Sequence, residues 1–137
     1  MGIAKLSALR KLAALKDSDI LLKGNQGRMT VYRLNRGDAV VKQLKMLFTV
    51  ARLSALVAGK VEGCEVYLFG SCARGEDVED SDIDLLVVGT NRTAIARLQA
   101  LDRRAKVSFF TPVEWLKLAK QDRAFYQRVE QDKIRLA

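Results

Sequence analysis

The chain has 137 residues, 49% hydrophobic and 29% charged. That is a globular composition with room for one ordinary core, or for a small domain with an appended module, and it holds no apolar run long enough to span a membrane. With no His and only Cys64 and Cys72, which lack metal-ligand spacing, ordinary zinc sites and His-based catalysis are excluded, and any metal chemistry must use oxygen ligands, as Mg2+ does. The net charge of +8 is uneven: residues 1–60 carry 12 Lys/Arg against 3 Asp/Glu, and residues 61–137 carry 12 against 13.

Such a split suggests two modules with different partners, or else a solvated basic face on the first. At the start, Leu6 stands where a myristoylation motif needs Ser or Thr, and no secretory segment follows, so a cytoplasmic protein is expected. Residues 4–16 place Leu6, Leu9, Leu12, Ala13 and Leu15 at helical spacing and predict a helix ending near Asp17-Ser18. Residues 20–35 predict a β-hairpin, two strand-like runs joined by Gly24-Asn25-Gln26-Gly27. A long amphipathic helix follows over 38–58, closed by Gly59. The pattern then turns to α/β: strands at 65–70 and 81–89, a helix over 92–104, and a strand at 106–111. A helix opening at Pro112 and another over 122–131 complete it. The predicted domains are 1–37, a basic helix plus hairpin, and 38–137.

Residues 68–89, LFGSCARGEDVEDSDIDLLVVG, carry the chemistry. Two residues apart on a strand, Asp82 and Asp84 leave on one face, while Leu86, Val87 and Val88 read as a strand buried on both sides. Two carboxylates held that close repel each other unless a cation joins them, and a divalent metal supplies it. Gly70-Ser71, ending the preceding strand before a short helix, exposes backbone N–H groups to a phosphate, with Ser71 adding a hydroxyl and Arg74 a guanidinium. A phosphate cradle beside a metal-binding acid pair is what metal-assisted nucleotidyl transfer requires.

In these motifs the segment resembles the signature of the DNA polymerase beta superfamily of nucleotidyltransferases, especially its minimal single-domain branch. The resemblance implies an α/β (α+β) fold, a small mixed sheet flanked by helices, over roughly 61–120. It implies transfer of a nucleoside monophosphate from a nucleoside triphosphate, ATP being the expected one, to a hydroxyl, with two Mg2+ ions. Gly70 and Ser71 would bind the triphosphate, with Arg74 in support; Asp82 and Asp84 would hold the metals and serve catalysis. Minimal members often work beside a helical partner protein as toxin–antitoxin pairs, which makes a protein acceptor one implied substrate. Active members usually carry a third carboxylate on the next strand; here that strand reads KVSFFT, with Lys106 or Ser108 in the expected place.

The first sixty residues resemble the second half of a winged helix, with residues 7–15 as recognition helix and 28–34 completing the wing. Lys5, Arg10, Lys11, Lys23, Arg28 and Arg33 would then meet the phosphates of duplex DNA. The helices that precede such a recognition helix have no counterpart here, so a homodimer covering the open side is one expectation and a structural extension the other. Two functions follow from these readings: a nucleotidyltransferase, or a DNA-binding or nucleotide-sensing regulator on a catalytically reduced transferase scaffold.

Overall fold

A computed structural model describes residues 2–137, with side chains from residue 4 onward. In chain order the elements are α1 (Gly2–Asp17), β1 (Leu21–Gln26), β2 (Met29–Leu34), α2 (Ala39–Val57), β3 (Cys64–Phe69), β4 (Ile83–Gly89) and α3 (Thr93–Gln99). They continue with β5 (Ala105–Phe110), α4 (Pro112–Gln121), α5 (Arg123–Asp132) and β6 (Ile134–Arg135). Two compact units divide between Gln43 and Leu44, inside α2.

In the first unit β1 and β2 pair antiparallel, with Gln26 opposite Met29. The turn is therefore Gly27-Arg28, two residues, and not the expected tetrad: Gly24, Asn25 and Gln26 stay extended and paired in β1. The reason lies in one torsion. A two-residue hairpin turn needs positive φ, and Gly27 adopts +61° without the Cβ clash another residue would meet. Asp38 then starts α2 by accepting hydrogen bonds from the Val40 and Val41 amides at 2.8 and 3.1 Å. Leu6, Leu9 and Leu15 of α1 are exposed, as are Leu22, Met29 and Leu34 of the hairpin, so the leucines that the sequence placed on one side of α1 stay open to solvent.

In the second unit a four-stranded sheet runs β5-β4-β3-β6. β3 is antiparallel to both neighbours and β4 is parallel to β5, a mixed sheet as expected. Because β4 is central and covered on both faces, Leu85, Leu86 and Val87 are all buried without alternation. On one face Val66, Leu68, Ile83, Leu85 and Val87 pack with Leu53 and Val57 of α2 and Ala94 and Leu98 of α3. On the other, Phe69 and Leu86 meet Trp115 of α4 and Val129 of α5, with Phe110, Phe125 and Tyr126 around them. Each such aliphatic or aromatic side chain contributes about 1.5–3 kcal/mol when fully buried.

Three local expectations change. No helix follows Gly70; the chain makes successive turns through Gly75. The helix expected over 92–104 stops at Gln99, because Asp102 and Arg104 build a turn that leads into β5. Finally, Ile134–Arg135 form a short strand on the outer side of β3, which a two-residue run gives no periodicity to reveal.

Candidate active site

Gly70 closes β3 at the point where Phe69 faces Asp84 across the sheet. Its φ is +75°, a left-handed conformation that turns the chain sharply away from the strand. The Gly70 carbonyl accepts from the amides of Ala73 and Arg74, and the Ser71 carbonyl from Glu76, which winds residues 70–76 into a tight loop. Within that loop the amides of Ser71 and Cys72 have no backbone partner among the described residues. They are donors available to an anion.

The acid pair meets this loop. A Cβ placed on Gly70 would lie 2.6 Å from Asp84 Oδ2, so the missing side chain is the space the carboxylate occupies. Buried beneath the loop, the Cys72 thiol donates to the Asp82 carbonyl at 3.3 Å and ties the acid-bearing segment to the turn. Burial pushes the Cys72 thiol up, away from thiolate reactivity, with Asp77 and Asp84 adding to the shift. Asp82 sits just ahead of β4 and is exposed, whereas Asp84 is half-buried within the strand. Burial raises the Asp84 pKa first and the neighbouring Asp82 charge raises it further, while Lys106, Arg128 and Arg74 pull it down. Asp84 therefore lies within the field of the Asp82 carboxylate.

The neighbouring strand answers the question of register. Lys106, not Ser108, stands opposite Asp84 on the parallel β5, and its Nζ reaches Asp82 Oδ2 at 2.6 Å. The ammonium is held in its charged form by its hydrogen bond to Asp82 and by both carboxylates. Ser108 faces Leu86 instead. Among the described residues, no three Asp, Glu, His or Cys side chains converge as a metal-binding group. Asp82 and Asp84 fit one Mg2+, which characteristically takes one or two carboxylates together with substrate phosphates.

Arg74 is engaged elsewhere: its Nε donates to Glu76 at 2.8 Å and its Nη1 to Asp132 of α5. Sequence spacing placed it one turn beyond Ser71 but gave no hint of these acids, one of them 58 residues away. Arg128, which the sequence reading did not single out, lies nearby. It lies over the Phe125 ring at 5.4 Å, forms no ion pair among the described residues, and its charge reaches Asp84. Lys45 was also missed. From α2 its Nζ donates to the carbonyls of Gly75 and Asp77 at 3.3 and 2.5 Å and pairs with the Asp77 carboxylate at 2.9 Å, pinning the far end of the 70–76 loop. In the first unit, Lys5, Arg10, Lys11, Lys23, Arg28 and Arg33 are all exposed, the first three on α1, Arg28 in the hairpin turn, and Lys23 and Arg33 on its strands.

The family described as nucleotidyltransferase domain matches residues 51–135 of this chain. Among solved structures, the chain is similar to a Sulfolobus solfataricus protein provisionally described as a nucleotidyltransferase. The two are 20% identical with a TM-score of 0.40, over 72% of this chain and 88% of that one. No curated protein matches.

Proposed function

The chain belongs to the nucleotidyltransferase domain family, and from that premise we propose that it binds a nucleoside triphosphate with Mg2+ and transfers a nucleoside monophosphate to a hydroxyl acceptor. The observation that carries the reading is the seating of Asp84 against Gly70, where a Cβ would stand 2.6 Å from Oδ2. A phosphate gripped by the loop would lie beside the carboxylates and share their cation. The Ser71 and Cys72 amides would take the phosphate oxygens, and Arg128, unlike the ion-paired Arg74, has a guanidinium open to them. Asp82 and Asp84 would hold Mg2+, which when bound neutralises phosphate charge and polarises the phosphoryl group under attack. In the transfer, the acceptor oxygen bonds to the α-phosphorus and the bridging α–β P–O bond breaks. Pyrophosphate departs with the electron pair, and the hydroxyl proton passes to water.

Lys106 favours a second reading, a nucleotide-sensing regulator in which binding persists and turnover is reduced. An acid on β5 would supply a metal ligand and a base for the hydroxyl; an ammonium supplies neither, and each tenfold in rate corresponds to about 1.4 kcal/mol of barrier. By resemblance, the acceptor of the first reading includes a partner protein. One experiment serves both. Mg2+ and ATP together should raise the melting temperature, by the equivalent of about 2.7 kcal/mol at a hundredfold excess over Kd. Asp82→Asn combined with Asp84→Asn should remove that rise, and an undiminished rise in the double variant would refute the site. Movement of label from α-labelled ATP onto protein or nucleic acid in lysate supports transfer; binding without any transfer supports the sensor.

A further inference from the structure

We propose that Lys106 is a built-in cation occupying one of the two metal-ion positions, so that the site loads a single divalent ion with each nucleotide; this rests on the nucleotide–Mg2+ reading above. Lys106 is the β5 residue in register with Asp84, and its ammonium lies 2.6 Å from Asp82 Oδ2. It thus stands on both acids' side of the sheet, at the place where a further acid would complete a two-ion cage.

The charge balance decides what such a site can hold. Three carboxylates together with a triphosphate favour two divalent ions. Two carboxylates and an ammonium leave a net single negative charge before the nucleotide arrives. A second divalent ion would then sit beside a fixed positive charge and face twice the repulsion that two unit charges feel. It would also find no acid of its own to ligate it and would have to share Asp82 or Asp84, since no third acid converges there among the described residues. The ammonium side chain is 67% exposed. An exposed pair of this kind contributes little to folding. Lys106 neither donates an oxygen ligand nor accepts a proton; it positions and partly neutralises Asp82.

Counting ions tests this without reference to turnover. The full chain is titrated with Mn2+ in the presence of a non-hydrolysable α,β-methylene triphosphate, and bound Mn2+ is counted by electron paramagnetic resonance. The expected result is one bound ion per wild-type chain with no spin-coupled pair, and two coupled ions in Lys106→Asp. Lys106→Ala removes the ammonium without adding a ligand and should bind its single ion about five- to tenfold more tightly, the scale of one nearby charge. Two coupled ions in the wild type would overturn the proposal, as would a single ion in a folded Lys106→Asp or unchanged affinity in Lys106→Ala. Unchanged Mn2+ binding in Asp82→Asn with Asp84→Asn would instead overturn the underlying site assignment, and no bound ion in the wild type would overturn both.

Discussion

Gly70 does two jobs that a larger residue would do badly. It takes a φ of +75°, and it leaves room for Asp84. Gly27 takes a similar φ of +61° with nothing within 4 Å of its would-be Cβ, which makes it a natural control. Forcing an alanine into the left-handed region costs roughly 1–2 kcal/mol, so Gly27→Ala and Gly70→Ala should lower stability by similar amounts in urea unfolding. They should part company in ligand response. Gly27→Ala is expected to keep the Mg2+–ATP rise in melting temperature, and Gly70→Ala to lose it because the new methyl displaces the carboxylate. Equal ligand response in the two variants would mean that the Asp84 contact is incidental. That Gly70 and Asp84 would come together was legible from spacing because the turn and the strand start are local features. Arg74 was legible as a cation near the loop but not as one already paired, since Asp132 reaches it from the far end of the chain.

Among the elements, the turn between α3 and β5 sets where Lys106 falls. Asp102 accepts from the Arg104 amide at 2.9 Å and from Arg52 of α2 at 3.1 Å, while the Arg104 carbonyl accepts from Ile83 at the start of β4. These contacts hold β5 in the register that puts Lys106 beside Asp84. The Arg104 amide, with the Arg104 and Arg52 side chains behind it, holds the Asp102 carboxyl at about 2, below its ordinary 3.8. A lowered folded-state pKa means the stabilisation is fully present above the unfolded value and is lost as pH falls through the folded one. Asp102→Asn should therefore cost about 1.5–3 kcal/mol near neutral pH, the scale of hydrogen bonds to a charged group. That deficit should shrink as pH is lowered from about 4 toward about 2, measured by urea unfolding at several pH values. A deficit that stayed constant with pH would show that the ionised carboxylate is not what matters. The sequence suggested one long helix through this turn because residues 92–104 lack a proline or glycine to stop it. What stops it is a side chain capturing a backbone amide two residues on.

For the molecule as a whole, charge and apolar exposure both concentrate in the first sixty residues. The net charge over residues 1–60 is +9, and α1 and the hairpin show solvent both basic side chains and leucines. No helix is long and apolar enough to cross a membrane among the described residues. If the basic set meets duplex DNA, as the resemblance to a winged helix implies, affinity should fall steeply with salt. Arg28→Ala and Arg33→Ala should each flatten the slope of log K against log salt by about one, whatever the DNA sequence. Fluorescence anisotropy across a salt series measures it; no binding at low salt would leave the basic surface without a nucleic-acid role. The order of helix, hairpin and helix was readable from periodicity. The site of the hairpin turn was not, since four consecutive turn-forming residues offered more than one solution and pairing with β2 chose Gly27-Arg28.

What the sequence determined by itself was the spacing of Gly70, Ser71, Asp82 and Asp84 and the mixed α/β character of the second unit. Spacing along a strand and the torsional freedom of glycine are properties of short segments. Tertiary structure decided which residue of KVSFFT faces the acids, where Arg74 spends its charge, and that Lys45 ties down the segment after Gly75. Each of those depends on strand register or on contacts between residues distant in the chain. Register follows from the packing of whole faces, and no local pattern encodes it.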